Sequence, residues 1–111
     1  MIKMKVEIKP LSVNKAWQWR RFKSKLYKNF EQELFYSLPQ VKIPEGKLEI
    51  KIIFGVSSPL FDWDNGIKPF VDILQKKYGF NDNKIFKGVV EKKIVRKGEE
   101  FISFDLKKLT L

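Results

Sequence analysis

The stretch FDWDNGIKPFVD, residues 61–72, sets three aspartates and a lysine among bulky apolar residues. Asp62 and Asp64 are two apart, Lys68 follows Asp64 by four, and Asp72 follows Lys68 by four. Two carboxylates at about 4 Å repel by roughly 4 kcal/mol at an effective dielectric of about 20. That is large beside a domain stability of about 5–15 kcal/mol. Protonation, salt bridges to lysines or a divalent cation would relieve it. All-oxygen donors select Mg²⁺ or Mn²⁺. Such an ion polarises a phosphoryl oxygen and lowers the pKa of a bound water, while a lysine offsets phosphate charge, which is the equipment for phosphodiester hydrolysis. The plainer reading is an N-capping aspartate with two salt-bridged surface carboxylates.

Composition narrows the chemistry. The 111 residues contain no cysteine and no histidine, which excludes disulfides, thiolate sites, imidazole ligands and His-dependent triads. Proton transfer is left to carboxylates, lysine, tyrosine or metal-bound water. Twenty-three Lys and Arg against 13 Asp and Glu give a formal charge of +10, which favours a polyanionic partner, nucleic acid first and an anionic membrane surface second. Residues 1–10 alternate charged and apolar side chains and read as a strand, not a signal peptide. No apolar run reaches membrane-spanning length. A soluble protein of a reducing, cytoplasmic compartment is expected.

The elements that must position these residues can be read from periodicity. Met4 to Ile8 alternates as a strand ended by Pro10, and Asn14 is placed to cap the first helix. Trp19, Phe22, Leu26, Phe30 and Leu34 make one stripe of that helix, predicted over Lys15–Ser37 and basic in its first half. Leu48 to Phe54 alternates as a second strand. A second helix should start near Asn65 or Gly66, hold Pro69 in its first turn and stop at Gly79, with Ile67, Phe70, Val71, Leu74 and Tyr78 as its apolar stripe. Val89–Arg96 and Phe101–Leu106 read as an antiparallel hairpin around Lys97-Gly98-Glu99. The expected fold is α+β, a single domain over 1–111: a mixed four-stranded sheet with two helices packed on it, in the order β-α-β-α-β-β.

On this frame the helix should begin among the acids. An extended approach through Trp63 would point Asp62 and Asp64 to one side. Asp64 or Asn65 could cap the helix, Lys68 could reach back one turn, and Asp82 could fold back beside the helix start.

The run Asp62-x-Asp64-Asn65-x-x-Lys68-x-x-x-Asp72-x-Leu74, then Gly79, Asp82 and Ile85, resembles the RusA family of Holliday-junction resolvases. Leu11-Ser12-Val13-Asn14 is similar to that family's Pro-Ser-x-Asn segment, and the likeness covers most of the chain. The resemblance implies a small homodimeric, Mg²⁺-dependent endonuclease, of phage or prophage type, that nicks four-way DNA junctions symmetrically. It implies Asp62, Asp64 and Asp82 as metal-binding catalytic residues and Lys68 as the catalytic lysine, with Asp72 and Asn65 supporting. One departure is Asn81, where the family often carries a further acid.

Candidates for DNA contact are Asn14, Lys15, Arg20, Arg21, Lys76 and Lys84, joined by Lys25, Lys77 and Lys87. Leu60 and Phe61 would either wedge against unstacked bases or pack beneath their loop. Two other readings stand beside this one. Asp82, Glu91 and Lys93 have the spacing of a restriction-type D…(D/E)xK nuclease, and a non-catalytic nucleic-acid binder would explain the charge alone.

Overall fold

The computed structural model describes residues 2–18 and 22–110. Its main sheet holds four strands: β1 (Ile2–Val6), β4 (Leu48–Val56), β5 (Ile85–Ile94) and β6 (Phe101–Lys108), in the spatial order β1-β6-β4-β5. β4 pairs parallel to β5 and antiparallel to β6, and β6 pairs antiparallel to β1. Between β1 and β4 come α1 (Val13–Ala16), a two-stranded pair of β2 (Trp17–Gln18) and β3 (Phe22–Lys23), and α2 (Lys25–Ser37). α3 (Ile67–Tyr78) and a 3₁₀ turn (Asp82–Lys84) link β4 to β5. The expected α+β domain, a mixed four-stranded sheet carrying two main helices, is what forms.

Both helices cover one face of the sheet. Tyr27, Phe30 and Leu34 of α2 and Phe70, Val71, Ile73 and Leu74 of α3 are buried in one cluster with Ile50, Ile52, Phe54, Ile102, Phe104 and Leu106. Gly79 ends α3 at φ 69°, in the left-handed region that glycine adopts freely, and its N–H reaches the Gln75 carbonyl. Pro69 sits in the first turn, as required. Among the described residues no helix is long and apolar enough to cross a membrane.

Two expectations are corrected. The single helix over Lys15–Ser37 is broken, because Ser24 is an N-cap. Its backbone is extended, its Oγ accepts from the Tyr27 N–H at 3.1 Å and donates to the Lys15 carbonyl at 2.6 Å. This new start turns Tyr27 into the core and leaves Leu26 exposed. Trp19, Arg20 and Arg21 lie outside the described residues, and Phe22 outside the described side chains.

The second correction concerns the terminal hairpin: β5 and β6 do not pair, since β4 lies between them. On the helix-covered face β6 offers Ile102, Phe104 and Leu106, all buried, whereas β5 offers Gly88, Val90 and Lys92. The greater apolar burial takes the central place. The connection passes over the end of β4, where Val95 N–H donates to the Val56 carbonyl at 2.8 Å and Ser57 Oγ donates to Glu100 at 2.9 Å.

An ion triad ties the helices together. Glu31 of α2 accepts from Lys23 at 2.9 Å and from Lys76 of α3 at 2.7 Å. Burial alone would push the Glu31 carboxyl up, but the hydrogen bonds from Lys76 and Lys23 outweigh it and hold its pKa below the usual 4.5. A depressed folded pKa contributes stability that is present above the unfolded value and is lost as pH falls through the folded one. Acid titration followed by circular dichroism should therefore show wild type losing stability more steeply below about pH 4.5 than Glu31→Gln does. Parallel acid curves for the two proteins would contradict this.

Candidate metal and nucleic-acid site

The acidic stretch follows β4 not as an extended segment but as consecutive turns. Asn65 N–H donates to the Asp62 carbonyl at 3.0 Å, and Ile67 N–H donates to the Asp64 carbonyl at 3.2 Å. Three anchors hold this loop. Lys92 of β5 donates to the carbonyls of Pro59 and Phe61 at 3.0 and 2.8 Å. The Asn65 carbonyl accepts from Val13 N–H at 2.7 Å, which docks the Ser12–Asn14 segment against the turn. Gly66 lies against the Phe54 ring so closely that a Cβ there would come within 2.9 Å of it. The core thus sets the position of the turn through Phe54, which also packs on Phe61 with ring centroids 6.1 Å apart.

Within this loop Asp62 and Asp64 are exposed. Among the described residues the Asp62 carboxylate accepts only a long contact from Asn65 Nδ2, 3.4 Å. Asp64 makes no side-chain hydrogen bond or ion pair among the described residues, nor does it cap the helix: Gly66 occupies the N-cap and no side chain caps it. Helix capping therefore does not explain this aspartate. Two exposed carboxylates within three residues suit Mg²⁺, which keeps most of its waters and takes one or two carboxylates beside substrate phosphates.

Lys68 turns forward, not back. Its Nζ meets Asp72 Oδ1 at 3.1 Å, an exposed i,i+4 pair of the kind worth about 0.3–0.5 kcal/mol. A phosphate oxygen can displace so weak a partner. Asp72 also accepts from Gln75 Nε2 at 3.4 Å, and Gln75 Oε1 accepts from the Asp82 N–H at 2.8 Å. Gln75 therefore fixes the acidic turn that begins β5, and nothing in the spacing of the motif pointed to it. Asn81 has a task of its own there, capping the 3₁₀ turn by accepting from Asn83 N–H at 3.0 Å. Beneath α3, burial and then the charges of Asp72 and Glu31 push the Tyr27 phenol up to about 12, so it stays neutral.

Asp82 does not fold back beside the helix start. Ile85 pairs with Leu48 at the beginning of β4, while Asp62 follows the end of β4, where Val56 pairs with Ile94. At about 1.5 Å per residue, Gln75 lies roughly 12 Å down α3 from Ile67. Among the described residues no three acidic side chains come together in a way that could hold a metal ion. Asp82 does not join Asp62 and Asp64. The restriction-type set is no closer: Glu91 and Lys93 share a face of β5 at 3.8 Å, but Glu91 is about 20 Å along the strand from its start beside Asp82.

A cleft of about 620 Å³ runs from Asp62 and Asn65 past Leu60 and Phe61 to Asn14, Lys15, Asn29 and Glu33. Phe61 is half-buried, whereas Leu60 is 87% and Trp63 56% exposed, so the two apolar side chains beside the carboxylates stand in solvent. Of the proposed DNA contacts, Asn14 and Lys15 line this cleft and Lys84 is exposed. Lys76 is held by Glu31 and Lys77 lies over the Phe35 ring at 4.6 Å. No protein-family model matches the chain, and no curated protein matches its sequence.

Proposed function

We propose that the protein is a Mg²⁺-dependent, structure-selective endonuclease that resolves four-way junctions and other branched DNA by paired symmetric nicks. It would act as a homodimer in the cytoplasm of a bacterial or phage-infected cell. The observation that carries this reading is the turn at 62–65. It exposes two carboxylates, Asp64 unpartnered among the described residues and Asp62 loosely held, with Leu60 and Trp63 exposed in the same stretch, and Asp62 lines a cleft together with Asn14 and Lys15. The acidic turn stands out on a chain of formal charge +10.

In this reading Asp62 and Asp64 hold Mg²⁺, or Mn²⁺ in its place. The bound ion supplies Lewis-acid polarisation of a phosphoryl oxygen and a water of lowered pKa. Lys68 leaves Asp72 to offset charge on the phosphate. Asn14 and Lys15 position the backbone, and Leu60 and Trp63 meet bases unstacked at a branch point. Asp72 and Asn65 support the two ends of this set.

A non-catalytic nucleic-acid binder is the second reading, favoured by the separation of Asp82 from the other two acids. Thermal melting separates them. Mn²⁺ or Mg²⁺ at several millimolar should raise the melting midpoint of wild type, because a ligand of the folded state stabilises it, and leave Asp64→Asn unmoved. No shift in wild type would favour the binder.

A further inference from the structure

Leu26, Asn29, Phe30 and Glu33 recur at the spacing of one helix face, and that face of α2 lines the cleft of about 620 Å³ together with Leu60, Phe61 and Asp62. Two short hydrogen bonds fix these parts relative to one another through α1. Ser24 Oγ, at the start of α2, donates to the Lys15 carbonyl at 2.6 Å, and Val13 N–H donates to the Asn65 carbonyl at 2.7 Å. The cleft is therefore held in shape before any ligand arrives. Two of its polar side chains have no task in the fold. Among the described residues neither Asn29 nor Glu33 makes a side-chain hydrogen bond or ion pair, and Glu33 contributes only its backbone carbonyl, which accepts from Ser37 Oγ at 2.7 Å.

We propose that this cleft takes a single unpaired guanine of a DNA strand, and that Glu33 and Asn29 select it. The proposal rests on the reading of the cleft as part of a DNA-processing site, though not on hydrolysis itself. A carboxylate only accepts hydrogen bonds. Guanine alone among the DNA bases presents two donors side by side, N1–H and the N2 amino group, which match the two oxygens of Glu33. Its O6 lies next to them and accepts from Asn29 Nδ2. Cytosine and adenine each set one amino group beside a ring nitrogen, whose lone pair would meet the second carboxylate oxygen. Thymine sets a single N–H between two carbonyls. A wrong base therefore covers the Glu33 carboxylate without satisfying it.

The faces of the ring find apolar and aromatic surface on Leu26, Phe30 and Phe61. Pairing within a duplex occupies the edge that Glu33 reads, so only a base unpaired at a branch point can enter, the condition already required for Leu60 and Trp63. Lys15, exposed in the same cleft, meets the adjoining phosphate. The position of the guanine then sets which phosphate reaches the turn at 62–65.

Short labelled thymine strands with one central guanine, adenine, cytosine or hypoxanthine test this by fluorescence anisotropy in EDTA, which prevents metal-dependent cutting. The guanine strand should bind wild type about 10-fold more tightly than the adenine and cytosine strands, as expected of one bidentate base contact. Hypoxanthine, which is guanine without its amino group, should lose most of that gain. Glu33→Gln offers one acceptor and one donor, and should abolish the preference while leaving the melting midpoint unchanged, since the side chain is exposed and unpartnered among the described residues. Gln32→Ala, exposed on α2 outside the cleft, should keep the preference. Equal binding of the four strands by wild type, no binding of any, or a guanine preference that survives Glu33→Gln overturns the pocket. Cutting of four-way junctions by a protein without base preference refutes the pocket and leaves the nuclease reading. A guanine preference in a protein that cuts nothing does the reverse.

Discussion

Asp64→Asn is expected to lower cleavage of four-way DNA by about 100-fold or more while the melting midpoint stays within about two degrees of wild type. The asparagine keeps the shape of the side chain and removes the charge that would hold a cation. Folding loses nothing, because the Asp64 side chain has no partner among the described residues and its structural contribution is a backbone carbonyl that accepts from Ile67 N–H. Glu91→Gln is the matched control. Among the described residues its carboxylate on β5 meets Lys93 alone, at 3.8 Å, and cleavage should change less than about threefold, the effect of a weak surface pair. Gel assays of junction cleavage over a Mg²⁺ series check both. Retained activity in Asp64→Asn with loss in Glu91→Gln would transfer the chemistry to β5.

The largest effect on stability is expected at Phe70. Its side chain is fully buried, with ring centroids 5.3 Å from Phe104 and 6.3 Å from Phe54. Phe70→Ala removes the ring that joins α3 to the sheet and leaves a cavity, at a cost of about 3–5 kcal/mol. For a domain of this size the melting midpoint should fall by on the order of 15 °C. The loss also reaches the site. Phe54, which sets the height of the 62–65 turn through Gly66, packs on Phe70 itself. Calorimetry checks the first effect. Amide exchange checks the second, with faster exchange at Asn65 and Ile67 relative to β6. A melting midpoint unchanged by Phe70→Ala would contradict this view of the core.

Much of this architecture was legible because it is local. Pro69 and Gly79 bound α3 by their own backbone preferences, and the alternation of β4 shows in Leu48, Ile50, Ile52 and Phe54. Ser24 was hidden by a stripe that continues on either side of it: an apolar period does not reveal that a hydroxyl will cap a new helix. The β5–β6 hairpin failed for a different reason. Two strands joined by a short turn run antiparallel whether they pair or flank a third, and only the comparison of Gly88 and Lys92 with Ile102, Phe104 and Leu106 tells which is central. The position of Asp82 depends on that strand order. The pairing of Asp62 and Asp64 was visible in their spacing, but the consecutive turns that carry them were not, since alternation through Trp63 pointed to an extended entry. Gln75 and Lys92 act on residues far from them in the chain and carry no local signature.

The proposed activity is met most directly by incubating the protein with labelled four-way, Y-shaped and linear DNA, with and without Mg²⁺. Paired nicks in the four-way junction that require Mg²⁺ are expected, with weaker cutting of the Y-shaped substrate and none of linear duplex. Failure to cut any of the three across a range of salt and divalent metal would contradict a metal-dependent nuclease built on Asp62 and Asp64.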